Sequence, residues 1–186
     1  MKSTAIAHPN IAFIKYWGNQ NDALRVPSNG SISMNLGALF TRTSVLFQDH
    51  ADQDSLSING RILNGNALSR VTAFLDIIRE MAGETRSAIV VSETNFPVGA
   101  GIASSASAFA ALSLAGSKAA GLDLNEAECS RLARCGSGSA CRSIPNGFCE
   151  WNKGDSDENS FSVSIAESSS WNLIDLIAVV SERQKK

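Results

Sequence analysis

Apolar and polar positions along this chain fall into two periods, and the period changes mark its elements. Ala5 and Ala7, then Ile11 and Phe13, alternate loosely on either side of a turn at Pro9-Asn10, which predicts two extended pieces. Asn21-Asp22 and Pro27 to Gly30 carry turn chemistry. Ser31 to Leu36 alternates polar and apolar as a half-buried strand does, and Thr41 to Phe47 and Ser55 to Ile58 continue as strands. Asn59-Gly60 is the strongest short hairpin signal in the chain. The period then lengthens to that of a helix. Leu68, Val71, Phe74, Leu75, Ile78 and Met81 form one stripe over Asn64 to Met81, and Gly83 ends it.

A β-branched run, Ile89-Val90-Val91, predicts a buried strand. From about Ser104 the chain is Ala, Ser, Leu and Phe, a helix of small side chains that packs through Phe109, Leu112 and Leu114 and stops at Gly121. Asp123 to Glu128 offers an N-cap with acids in the first turn, opening a helix over Asn125 to Arg134 that buries Ala127, Cys129 and Leu132. Ala140-Cys141-Arg142 starts a further helix, Lys153 to Ser160 is a solvated polar turn, and Phe161 to Ile165 and Asp175 to Val180 are strands. Strands first, then a helix, then strand, loop, helix and helix make an α+β fold.

Composition narrows the classes. At 186 residues, 44% hydrophobic and net charge −2, the chain is an ordinary globular one of one domain or slightly more. Nothing approaches eighteen consecutive apolar residues, so no membrane span is expected, and Met1 to Thr4 lacks the apolar core of a signal peptide. A pI near 5.7 argues against a nucleic-acid surface. All four cysteines lie between Cys129 and Cys149 at spacings matching no zinc or CxxC pattern, so buried or ordinary cytosolic thiols are expected, and a cytoplasmic protein. His8 reads as a turn histidine rather than a ligand.

Candidate chemistry sits in three places. Between the strand ending near Ser92 and the helix opening at Ser104, Pro97 to Ser105 holds Gly99 and Gly101. A helix N-terminus presents free N–H groups and partial positive charge, and glycines let a phosphate approach them. Ser104 and Ser105 would add hydroxyls for phosphate oxygens or a magnesium ion. The loop is neither a Walker A motif nor a dinucleotide fingerprint, and from composition alone it reads equally as a Gly/Ser turn before a packed helix. A second Gly/Ser stretch, Gly136 to Ser139, stands beside Arg142 and reads as an oxyanion site or a flexible linker. Lys15-Tyr16-Trp17-Gly18 gathers a cation and two aromatics, which suits a site or a snorkelling lysine beside a packed Trp. Arg70 sits near a helix N-terminus, where a cation opposes the dipole and needs a partner, though a surface arginine explains it too. Asn29 and Ser31 read as near a ligand or as turn and strand start.

Pro97-Val98-Gly99-Ala100-Gly101-Ile102-Ala103-Ser104-Ser105-Ala106 resembles the phosphate loop of the GHMP kinase superfamily. Asn10 to Gly18 (NIAFIKYWG), and Ser137 to Ser143 followed by Gly147-Phe148 and Glu150-Trp151, resemble segments of the mevalonate diphosphate decarboxylase and phosphomevalonate decarboxylase family. Three segments occur in the family's order, and the resemblance runs over essentially the whole chain.

The resemblance implies an α+β fold of the ribosomal protein S5 domain 2-like type, a GHMP N-terminal domain with a mixed sheet packed on helices. Residues 1–170 would form it, and 171–186 would be the first strand of a second, truncated domain. It implies ATP and Mg²⁺ as cofactors, with Ser92, Pro97, Gly99, Ala100, Gly101, Ile102, Ala103, Ser104 and Ser105 at the nucleotide and Ser105 at the metal. A phosphorylated mevalonate would be held by Tyr16, Trp17, Gly18, Asn19, Arg70, Ser137, Gly138, Ser139, Ala140, Cys141 and Arg142. Lys15 and Arg142 would be catalytic, Lys15 at the reacting hydroxyl and Arg142 on the carboxylate. The family usually has lysine where Asn19 stands, and the loss of that cation makes a monophosphate substrate plausible. Family members continue for another half that carries the catalytic aspartate, so a missing C-terminal half is expected as a partner and this chain alone is expected to be inactive. A homodimer is within the family's range, and neither nucleic acid nor a membrane is an expected partner. The competing readings are a mevalonate 3-kinase-like enzyme that stops after phosphoryl transfer, and a non-catalytic binding module.

Overall fold

The structure, a computed structural model, describes residues 1–49, 52–97 and 103–177. Among these the elements are β1 Lys2–Ala7, β2 Asn10–Ile14, β3 Asn19–Asn21, β4 Val26–Pro27, β5 Ser31–Asn35, β6 Thr41–Gln48, β7 Ser55–Ile58, β8 Arg61–Leu63, α1 Asn66–Ala82, β9 Ser87–Thr94, α2 Ser104–Ala119, α3 Glu126–Gly136, a 3₁₀ helix Gly138–Ser143, β10 Phe148–Trp151 and β11 Ser162–Ala166. Five strands form a mixed sheet in the order β1-β6-β9-β7-β8, with only the β7–β9 pair parallel. Period-two alternation orients β6, whose Thr41, Thr43, Val45 and Phe47 point inward. Asn59 and Gly60 both take positive φ, 49° and 75°, as the primed turn joining β7 to β8 requires.

Helix α2 crosses the inner face of β6 and β1, with α1 and α3 beside it. Eleven of its sixteen residues are buried, and only a helix of small side chains can be enclosed on so many sides. The close approaches depend on glycine. A Cβ on Gly116 would stand 2.7 Å from Ile78 Cδ1, and one on Gly136 would stand 2.1 Å from Phe109 Cδ1. The ends of α1 and α3 follow their local signals. Gly83 closes α1 in the left-handed region, and Asn125 with Glu128 forms a reciprocal capping box on α3.

A second, antiparallel sheet runs β11-β10-β5-β2, and β3 with β4 forms a small hairpin. The 3₁₀ helix is wedged between this sheet and helices α2 and α3. Here the structure departs from the sequence pattern. In β5 the polar set faces inward, with Ser31 and Ser33 buried and Ile32 only partly covered. The expected solvated turn Lys153 to Ser160 is tied down instead: buried Arg134 pairs with Asp157 and donates to Ser160 O, and Ser160 Oγ accepts from Trp151 Nε1. On α1 the buried residues are Phe74, Leu75 and Ile78, while Met81 is exposed. Residues 171–177 carry no strand, and the rest of the expected Asp175–Val180 strand lies outside the described residues. Among the described residues no helix is long and apolar enough to cross a membrane.

Two stability predictions come from these contacts. Gly136→Ala forces a methyl into the Phe109 ring and should cost about 2 kcal/mol by denaturant unfolding, toward the upper part of the usual overpacking range. After α1, the Arg86 guanidinium, helped by the N–H groups of Thr85 and Arg86, holds the Glu84 carboxyl down at about 2. A depressed carboxylate stabilises the fold above its unfolded value of about 4.3 and loses that contribution as pH falls toward the folded value. Glu84→Gln should therefore destabilise at neutral pH, and thermal melts of the two proteins should converge as pH drops from about 4 to 2.

Candidate functional site

The site forms where the 3₁₀ helix meets the N-terminus of α2. Ala103 precedes α2 in the left-handed region with φ 46°, and no side chain caps the helix, which has no acid in its first turn. Its partial positive charge is therefore not offset by an acid of its own first turn. Gly99, Ala100, Gly101 and Ile102, placed at the nucleotide by sequence, lie outside the described residues; Pro97 is exposed at the edge of that gap. Ser104 and Ser105 are half-buried in the first turn, and Ser105 Oγ lies 3.3 Å from Ser137 Oγ. The two Gly/Ser segments therefore meet through their hydroxyls.

Ser137 ends α3 and begins the 3₁₀ helix that carries Arg142. Arg142 is 3% exposed, yet every hydrogen bond it donates goes to a neutral group. Nη1 reaches Ser31 Oγ at 2.5 Å, Nε reaches Ser33 Oγ at 3.1 Å and Nη2 reaches Asn10 Oδ1 at 3.3 Å. Among the described residues no carboxylate lies within 4.0 Å of it, and burial pushes its pKa below the usual arginine range. Asn10, itself buried, donates in turn to Ser139 O at 2.9 Å and Ser143 Oγ at 2.8 Å, so it fixes both the guanidinium and the 3₁₀ helix. A buried cation held by neutral dipoles keeps its charge available to an anion.

The Lys15–Gly18 segment is set by Asn29, whose amide accepts from Trp17 N at 2.9 Å and donates to Lys15 O at 2.9 Å. Asn29 thus acts on the segment's backbone. Tyr16 packs edge-on against Trp151, 4.9 Å between centroids, and closes over Gly138, where a Cβ would come within 2.8 Å of the phenol oxygen. Lys15 is exposed, and Trp17 is 80% exposed rather than packed. Asn19 is half-buried and donates to Asp22 Oδ1 at 3.1 Å. Arg70 has the partner its position demands: Nη2 donates to Gly136 O at 2.9 Å, and the guanidinium lies 4.6 Å above the Phe109 ring.

Other predicted site residues sit further in. Ala140 and Cys141 are fully buried, the Ala140 N–H already donates to Ser137 O, and the Cys141 thiol points at Gly138 O, 3.0 Å away. Burial pushes that thiol up to about 11 and the Cys149 thiol to about 12, as unreactive core cysteines. Ser92 is buried, its hydroxyl 2.9 Å from Thr43 Oγ1, beside a small cavity of about 40 Å³ walled by Leu56, Val71, Val90 and Phe109. His8 Nδ1 bonds Leu39 O at 2.7 Å, a structural contact. Asn10, Ser31 and Ser33 are the residues that sequence reasoning undervalued; the sequence does hold a signal, since β5 places serines every second residue.

Comparison with known proteins places the chain in a family. Residues 7–162 match the family described as the diphosphomevalonate decarboxylase-like N-terminal domain. The chain is 39% identical to the diphosphomevalonate decarboxylase of Debaryomyces hansenii, covering 98% of this chain and 51% of that one. It is 40% identical to the phosphomevalonate decarboxylase of Haloferax volcanii, covering 80% and 46%. The solved mevalonate diphosphate decarboxylase of Enterococcus faecalis superposes with a TM-score of 0.86 at 47% identity, over 89% of this chain and 52% of that one. A structure described as MDDEF in complex with MVAPP, AMPPCP and magnesium gives the same score and identity, over 89% and 51%. The chain spans about half the length of these relatives. By its matched domain, its sequence and its fold, this chain belongs to the diphosphomevalonate decarboxylase-like N-terminal domain family.

Proposed function

We propose that this chain is the ATP- and substrate-binding half of an enzyme that decarboxylates a phosphorylated mevalonate to an isopentenyl phosphate or diphosphate. The observation that carries the reading is Arg142, a buried guanidinium without a carboxylate partner among the described residues, on the helix whose Ser137 touches Ser105 at the head of α2. An acidic substrate and a nucleotide phosphate would meet there. Arg142 holds the substrate carboxylate, Ser137 and Ser139 with Arg70 face its phosphate, and Tyr16 closes the pocket over Gly138. Lys15 borders the reacting hydroxyl.

ATP would supply a phosphoryl group to the tertiary hydroxyl, which is otherwise a poor leaving group, and a Mg²⁺ ion bound with it would offset negative charge. Phosphate then leaves with the C–O electron pair while the bond to the carboxylate collapses into the alkene, releasing CO₂. The uncapped first turn of α2, which carries no acid, suits a nucleotide phosphate, and Ser105 Oγ in that turn would reach its metal. The base that accepts the hydroxyl proton falls to the half of the relatives that this chain does not span. Residues 1–170 form the binding domain in this reading, and 171–186 lead into the next. Trp171, Ile174 and Leu176, all strongly exposed, suit a surface that a second domain covers.

Turnover of the complete gene product with ATP and mono- or diphosphorylated mevalonate should release CO₂ and inorganic phosphate in equal amounts. A stable phosphorylated product without CO₂ would make it a kinase, and no turnover with the second half present would leave a binding module. Arg142→Met should lower kcat/KM about 100-fold or more, since a charge-assisted pair is lost. Its stability should fall by no more than about 1–3 kcal/mol, the cost of leaving Ser31 Oγ, Ser33 Oγ and Asn10 Oδ1 without their donor, since no protein carboxylate is orphaned among the described residues. A large loss of stability would make Arg142 structural instead.

A further inference from the structure

The hairpin turn between β3 and β4, residues 22–25, docks on the carboxyl end of α3. Arg134 Nε donates to Leu24 O at 2.8 Å, and Arg25 Nε donates to Cys135 O at 3.0 Å. The next carbonyl, Gly136 O, accepts from Arg70. Two guanidinium groups, one from the hairpin and one from α1, therefore sit on consecutive carbonyls, and Ser137 of the anion site follows. Arg25 adopts a φ of 52°, a left-handed conformation that is uncommon outside glycine.

The three arginines here are treated differently. Arg134 is fully buried and neutralised by Asp157. Arg25 and Arg70 have no carboxylate within 4.0 Å among the described residues, and each makes a single hydrogen bond there, which leaves most of its five N–H donors unused. Arg25 is half-buried and Arg70 exposed, so a ligand can reach both. Burial first, and then repulsion from Arg25, hold Arg70 below the usual arginine range. The carbonyl end of α3 offsets part of this repulsion, since cations are favoured there. It supplies acceptors from one side only, and the remaining donors stay open to oxygens of a ligand on the other.

We propose that Arg25 is a specificity-determining residue that, with Arg70, clamps the phosphate of the substrate as a monophosphate ester. The proposal rests on the function proposed above. Two guanidinium charges match the roughly −1.5 to −2 of one phosphate monoester at neutral pH. The neighbouring Asn19, held to Asp22, adds no cation for a second phosphate.

The test is Arg25→Gln and Arg25→Lys in the complete gene product, assayed with 5-phosphomevalonate and its diphosphorylated counterpart. Arg25→Gln should raise KM for the monophosphate about 30-fold or more, a charge-assisted phosphate contact being lost, and Arg25→Lys should restore part of it. The parent should prefer the monophosphate by about tenfold or more, and the glutamine variant should lose most of that preference. A lower melting temperature with unchanged KM would make Arg25 a helix-end contact only, and a parent preferring the diphosphate would overturn the proposed match; either result defeats the inference. Stabilisation against heat by inorganic phosphate gives a readout independent of turnover. If neither substrate reacts, the enzyme reading fails, whereas loss of that phosphate effect in Arg25→Gln still supports the clamp and its persistence still overturns it.

Discussion

The structure is organised by the cost of keeping one guanidinium out of water. Arg142 is buried and charged, and an unsolvated charge is tolerated only when dipoles replace the water it lost. Ser31 and Ser33 from β5 and Asn10 from β2 supply those dipoles, so two neighbouring strands must turn polar residues toward the interior. The same Asn10 donates to Ser139 O and Ser143 Oγ, which fixes the 3₁₀ helix against the second sheet. Neutral partners leave the charge unneutralised. An ion pair would have stabilised the cation and ended its capacity to bind.

Elements whose signals are local were legible in the sequence. The β9 strand, the small-residue helix α2, the Asn59-Gly60 turn and the Asn125–Glu128 box follow from spacing and dihedral preference within a few residues. The alternation of β5 was legible but the face it buries was not, because the partner that turns its serines inward lies more than a hundred residues away. The loop from Lys153 to Ser160 failed for the same reason: its acids look solvated until Arg134 of α3 arrives beneath it. Resemblance singled out Arg142 and Ser137 but gave no role to Asn10, which orients the Arg142 side chain. At Trp17 the structure decides against one of the two readings, since the ring stands in solvent rather than packed.

Small residues set how closely the two donor clusters approach. Gly138 has no Cβ where Tyr16 and Trp151 close in, and Gly136 has none where Phe109 packs under Arg70. Interior packing at near-crystalline density leaves no slack for a methyl at either place. The enclosed helix α2 carries Ser105 to Ser137 because alanine and serine let it settle between the sheet, α1 and α3. Packing and site are one set of constraints here, since the residues that allow the close fit also place the hydroxyls.

The arrangement of arginines separates structure from binding more sharply than their number does. Arg79 sits on Asp54 and Asp76, Arg86 on Glu84, and Arg134 on Asp157, each a cation neutralised within the fold. Arg25, Arg70 and Arg142 rest on carbonyls, hydroxyls and an amide instead, and all three belong to the region around the 3₁₀ helix. A chain of net charge −2 has carboxylates enough to pair them. That these three stay unpaired among the described residues therefore reflects where they sit, on helix-end carbonyls and strand hydroxyls, and not a shortage of acids. Their exposure differs as well: Arg142 is enclosed, Arg25 half-buried and Arg70 exposed, so solvent and salt screen the last two charges far more than the first.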